Sequence, residues 1–214
     1  MPLGSIIRAL GITALLATTV QAQESRPFRD SWFWGAKIGT LSVGTTETGR
    51  TWAPSIGAEW LITRSAGGLW VFADHTNFDI RTSVADPAAT GGRRDVDLRN
   101  LRRFGFAAVV SPRAFGIVRP YAGLGMSLNV IGRAIAAVDS AGNPADNSLR
   151  TSIEDQRSRA SVLGLAGVQA QLSRAALFTQ LTATPASTRF LLNDGPLVGV
   201  DVGVRFNFGS SVAR

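Results

Sequence analysis

One histidine stands in this chain, beside residue types that hydrolases use: Asp74, His75, Thr76 and Asn77 are consecutive. A base flanked by an acid and a hydroxyl can activate a nucleophile when the three side chains converge. The surrounding residues alternate like a strand, however, and successive strand side chains point to opposite faces. His75 and Thr76 are therefore expected to diverge, and no catalytic residue is assigned. Metal chemistry has less to work with. One His and no Cys offer no imidazole or thiolate set. Asp139, Asp146, Glu154 and Asp155 lack the dense spacing of a calcium loop. The glycines sit inside strand-like runs rather than between a strand and a helix, so no phosphate cradle is read. No metal and no cofactor are expected.

A second set of chemically capable residues is dispersed: Lys37, Glu59, Asp74, Arg103, Arg119, Arg159, Asp201 and Arg205. Each falls on the polar side of an alternating run. The clearest run is Val198 to Phe208. Val198, Val200, Val202, Val204, Phe206 and Phe208 form one face, and Gly199, Asp201, Gly203, Arg205 and Asn207 the other. If the polar faces close around a lumen, these eight charges become neighbours. Desolvating a lone charge costs on the order of several kcal/mol, so they are expected to pair as a network that plugs the interior. A gated narrow pore is the competing expectation.

Seven further strands are expected ahead of that one, at about 32–45, 52–63, 69–82, 96–110, 117–134, 155–172 and 175–184. The fifth is as regular as the last. Val118, Pro120, Ala122, Leu124, Met126, Leu128 and Val130 alternate with Arg119, Tyr121, Gly123, Gly125, Ser127 and Asn129. The third is less clean, because Trp70 and Phe72 blur its register. Trp52 and Trp60, near the two ends of the second, suit the aromatic girdles of a membrane barrel. Connections at 64–68, 111–115 and 173–174 read as short, and those at 86–94, 139–151 and 185–196 as long. Phe190, Leu191 and Leu192 offer a possible extension of the last hairpin.

The composition agrees with this division. Hydrophobic residues are 45% and charged residues only 17%, with 23 Gly, 11 Phe and 5 Trp, which suits a β-rich chain with an apolar outer surface. Arg8, the apolar run 9–20 and Val20-Gln21-Ala22 form a signal-peptide pattern, with cleavage expected after Ala22. Segments 23–30 and 210–214 read as a periplasmic lead-in and a C-terminal tail around a barrel at 31–209. Beyond the leader no run nears the roughly 18 apolar residues of a membrane helix, so crossing a membrane requires a closed barrel. The formal charge of +7 comes without a basic helix or a basic-aromatic motif. The surplus is read as attraction to anionic lipid headgroups, or as implying no partner at all, rather than as nucleic-acid binding.

The fold class expected is all-β, an eight-stranded antiparallel up-and-down transmembrane β-barrel. The leader, the alternating loop lengths, the run Arg119-Pro120-Tyr121-Ala122-Gly123-Leu124-Gly125 and the aromatic-ended strand to Phe208 resemble the OmpA/OmpX-like outer-membrane β-barrel superfamily. The resemblance covers nearly all of the chain after the leader. It differs in the six residues that follow Phe208. It implies a monomer in the bacterial outer membrane, in contact with lipids including anionic lipopolysaccharide and inserted by the barrel-assembly machinery. Some barrels of this kind modify lipid A with a His-x-Ser-Asn motif, but here the run is His75-Thr76-Asn77, one residue short. The function expected is non-enzymatic, in a structural or surface-interaction role. A narrow channel or carrier for small hydrophobic molecules is the alternative, and a lipid A-modifying enzyme the second alternative.

Overall fold

The computed structural model describes residues 28, 30–65, 67–112, 114–139 and 141–210. The leader and its cleavage site at Ala22, and residues 211–214 of the tail, lie outside the described residues. Eight strands follow in order: β1 Ser31–Thr45, β2 Gly49–Thr63, β3 Gly67–Ala85, β4 Arg93–Val110, β5 Val118–Ala136, β6 Ser158–Leu172, β7 Ala175–Thr184 and β8 Leu197–Ser210. Each pairs antiparallel with its neighbour, and β8 pairs with β1, so the sheet closes. Around the closed part of the wall every strand is therefore paired on both sides.

Register fixes the shape of the wall. Hydrogen-bonded partners lead from Trp32 through Ile62, Leu69, Ala108, Leu124, Gly164, Ala183 and Val198 to Ser42. One circuit therefore returns to β1 ten residues further on. Such a stagger requires the strands to tilt, by about 40° in barrels of this size.

The period of two survives in three dimensions. Trp34, Ile38, Ile56, Phe104, Phe106, Leu124, Leu177, Leu181, Val202 and Phe206 are all exposed on the outer wall, with Ile38 at 63% and Leu124 at 71%. An apolar surface that circles the whole molecule far exceeds the few hundred Å² that a soluble monomer tolerates. Trp32, Trp34 and Trp60 cluster toward one end, with Trp60 5.4 Å from Trp34 and 5.1 Å from Trp32 between ring centres. Trp52 lies eight residues up β2 from Trp60. At about 3.4 Å per residue and that tilt, the two are roughly 20 Å apart along the axis. An apolar band in such barrels is about 25 Å tall.

Several details depart from the sequence expectations. β3 and β4 are longer, and they project as a polar ribbon in which Arg81 meets Asp97 at 3.0 Å and Arg99 meets Asp79 at 2.9 Å. The β3/β4 register shifts between Thr76 and Asp79, opposite Asn100, whose φ is +58°. This bulge moves the inward face of β4 from Leu101 and Arg103 to Leu98 and Val96. The segment expected as loop at 139–151 contains the start of a helix, α1 Asn147–Gln156, so β6 begins at Ser158 rather than Asp155. Loop lengths are also less sharply sorted than expected. Connections 86–92 and 111–117 are equally long, and 46–48 is short, although 137–157 and 185–196 do share one end.

Candidate functional site

The candidate site is the lumen, which three tiers of side chains fill. Its middle tier is polar: the ion pairs come from β1, β2, β3 and β8, and β5, β6 and β7 add Tyr121, Gln169 and Gln180. Lys37 Nζ lies 2.8 Å from Asp74 and 3.2 Å from Asp201. Arg205 donates through Nε to Glu59, through Nη1 to Gln169 at 2.7 Å, and through Nη2 to Tyr121 at 3.2 Å and Gln180 at 3.3 Å. Trp70 Nε1 donates to the other Glu59 oxygen at 3.0 Å. Gln180 Nε2 lies 3.4 Å from both Glu59 and Asp201, joining the two ion pairs. Glu59 is 2% exposed and Arg205 1%. Such burial is tolerable because both charges are paired and their remaining atoms are hydrogen-bonded.

Rings and glycines give this tier its shape. Phe72, Tyr121 and Phe178 each stand directly across from a glycine of the next strand: Gly105, Gly167 and Gly203. A Cβ on those glycines would come within 2.5, 2.7 and 2.6 Å of the ring facing it. The missing side chains therefore make room for the aromatics, as when a ring covers a sheet glycine. The rings in turn face cations. Arg205 lies 4.0 Å from the Phe178 ring centre and 5.0 Å from that of Tyr121, and Lys37 4.9 Å from that of Phe72.

The eight charges expected inside do not act alike. Six are buried: Lys37, Arg103 and Arg205 against Glu59, Asp74 and Asp201. Their formal charges cancel. Arg103 contributes charge without hydrogen bonds, since its Nε and Nη2 have no partner among the described residues and its guanidinium lies 5.5 Å from the Phe72 ring centre. Arg119 and Arg159 stand apart from this cluster and are only half-buried. The Arg119 guanidinium lies 4.9 Å from the ring of Phe28. Phe28, in the segment expected to be a plain lead-in, is buried at the short-turn end, 5.6 Å from Phe33 and with its carbonyl accepting a bond from the Thr63 hydroxyl.

The tiers above and below are apolar, which corrects the expectation of an interior that is small, polar or charged. Phe28, Phe33, Leu61, Trp70, Val109, Leu163 and Leu165 fill the short-turn end. Leu41, Val43, Phe78, Val96, Leu98, Leu101 and Ile131 fill the long-loop end. Leu149 and Ile153 of α1, with Phe190, Leu191 and Leu192, pack onto that second cluster. The Phe190–Leu192 run is thus a cover over the barrel mouth, not an extension of the β7–β8 hairpin. Trp70 and Phe72, which blurred the third strand, are simply inward-facing. A strict period of two would have assigned them so, had an apolar interior been allowed.

The histidine run is split by the wall. Asp74 and Thr76 are buried inside, where Asp74 meets Lys37 and the Thr76 hydroxyl donates to Ser55 at 3.3 Å. His75 faces outward, across from Ile56 and Arg102. The acid and hydroxyl therefore cannot reach the imidazole. Among the described residues, no group of three or more His, Cys, Asp or Glu could hold a metal.

No protein-family model and no curated protein matches the chain. Solved structures do. Neisserial surface protein A (NspA) aligns with a TM-score of 0.55 and 16% identity, over 83% of this chain and 97% of that one. The outer membrane protein OprG from Pseudomonas aeruginosa aligns with a TM-score of 0.51 and 11% identity, over 85% and 98%. The likeness is one of fold: a closed eight-stranded antiparallel β-barrel.

Proposed function

We propose that the chain is a non-enzymatic protein of the bacterial outer membrane, a closed barrel that anchors and presents its long-loop end. The observation that carries this reading is the filled lumen. An ion-paired tier lies between two apolar tiers, and α1 and Phe190–Leu192 cover one mouth while Phe28 occupies the other. An eight-stranded barrel can be filled by side chains or can hold one small ligand, and here large side chains take that room. The eight charges are read as structural, with Glu59, Asp74 and Asp201 balancing Lys37, Arg103 and Arg205 at the centre, and Arg119 and Arg159 lying outside that balance. The separation of His75 from Asp74 and Thr76 speaks against the lipid-modifying alternative.

The apolar wall makes lipid the principal partner. A monomer, inserted by the barrel-assembly machinery after cleavage behind Ala22, completes the proposal. Intact-mass measurement of the membrane-extracted protein is expected to give a chain starting at Gln23. Unboiled protein should migrate differently from boiled protein in detergent gels, whereas fractionation with soluble periplasmic proteins overturns the membrane assignment. In planar bilayers the folded protein is expected to give no ion-conducting steps. Stable, ion-selective steps would establish the narrow channel instead.

A further inference from the structure

The outer wall carries a groove of about 970 Å³. The outward-facing Ala58 and Ala73 form its floor, and Trp34, Trp60 and Phe104 are among the residues that flank it. Small residues in a wall otherwise faced with Ile, Leu and Phe leave a depression about as apolar as a hydrocarbon chain. Lipid tails meet such a wall everywhere, so the depression alone selects nothing.

What distinguishes it is the charge above. On β4 the outward positions run Phe106, Phe104, Arg102, so Arg102 lies directly past the groove toward the long loops. His75 is its register partner on β3, also outward. Neither makes a hydrogen bond or an ion pair among the described residues. The carboxylate farther along the same face, Asp79, is held by Arg99 at 2.9 Å, and Arg133 is exposed beyond it, across from Arg99. The patch is thus a cationic one whose nearest acid is already engaged.

Its height also fits. With the strands tilted, each step from β1 toward β4 along hydrogen-bonded partners rises by about 3 Å toward the long-loop end. His75 pairs with Ile56, so Arg102 lies two steps above Ile56, at about the level of Pro54. That is close to Trp52, the exposed aromatic at this end of β2. Interfacial aromatics mark the depth of lipid headgroups. A guanidinium binds phosphate with paired, charge-assisted hydrogen bonds, and an imidazole N–H adds a further donor.

We infer that Arg102 and His75 hold the phosphate of a membrane lipid whose acyl chain lies in the groove beneath them. This rests on the reading that the wall faces lipid, and one experiment separates the two. The barrel is refolded into phosphatidylcholine vesicles containing a small, equal fraction of either dibrominated phosphatidylglycerol or dibrominated phosphatidylcholine. Bromine quenches tryptophan, and Trp34 and Trp60 line the groove. At least twofold more quenching by the anionic lipid is expected. The excess should vanish in an Arg102→Gln/His75→Gln variant, whose changes lie on the outer surface, and equally in a Trp34→Phe/Trp60→Phe variant. Equal quenching by the two lipids means ordinary boundary lipid and overturns the site. So does an excess that survives the Arg102→Gln/His75→Gln change, or one abolished by millimolar inorganic phosphate, which would mark a phosphate site without the chain. Absence of quenching by either lipid would instead overturn the membrane reading itself.

Discussion

At the scale of single residues, Arg205 and Arg103 make a controlled comparison. Both are fully buried cations of the same lumen. Arg205 satisfies its guanidinium through Glu59, Gln169, Tyr121 and Gln180, whereas Arg103 leaves two nitrogens without partners. Replacing a whole buried ion pair by apolar groups of similar volume can be neutral, but removing one member of a bonded pair strands the other. Glu59→Gln is therefore expected to destabilise the barrel by about 3–5 kcal/mol, read from urea unfolding in detergent micelles. Arg103→Met should lower the urea midpoint much less than Arg205→Met. Equal losses for the two arginines would mean that net charge, not hydrogen bonding, governs this tier. The glycines under the rings offer an independent probe. Gly203→Val would drive a branched side chain into Phe178 and the carbonyl of Ala36, and it should lower the yield of folded, heat-modifiable barrel below that of Val202→Ala on the lipid side.

At the scale of elements, α1 is the piece that strand periodicity could not find. It has only two buried residues, Leu149 and Ile153, one turn apart. Gly142, Asn143 and Pro144 just before it argue for a loop. A readable signal was present all the same: Asp146 accepts from Leu149 N at 2.8 Å as an N-cap. The bond from the Leu149 amide, with the Ser148 hydroxyl, holds the Asp146 carboxyl below its ordinary range. Bonds from Asn143 and Ala141 do the same for Asp139 at the start of this connection. Because both folded-state values are depressed, their stabilisation is fully present above the unfolded carboxylate pKa of about 4. It is lost as pH falls through the depressed values. The protection of amides across 137–157, relative to their intrinsic exchange rates, is expected to fall below about pH 4 while β1 and β8 stay protected. Asp146→Ala should show the lower protection already at neutral pH.

At the scale of the whole molecule, the outer surface was legible and the inner one only partly so. The outward positions of Val198 to Phe208 and of Val118 to Val130 are uniformly apolar, so these two strands could be assigned by alternation alone. The lumen imposes no such uniformity. It accepts Lys37, Gly203, Phe72 or Leu163, provided that volumes and charges close. Strand pairing was similarly readable in order but not in register, because the bulge opposite Asn100 shifts an inward face without leaving a gap in the pattern. Which charges would meet followed from register. Lys37, Glu59, Asp74, Asp201 and Arg205 come from adjacent strands and converge, while Arg119 and Arg159 lie elsewhere around and along the wall.

Closure has a further result, in time rather than in energy. Lys37–Asp201 crosses directly from the first strand to the last, and Arg205–Glu59 reaches past β1 from the last strand to the second. Neither pair can form until the two ends of the chain meet, and neither can part without exposing charge to a medium that will not solvate it. The seam between β1 and β8 therefore works as a latch, set late in assembly and slow to release. The folded barrel should persist long after conditions have ceased to favour it.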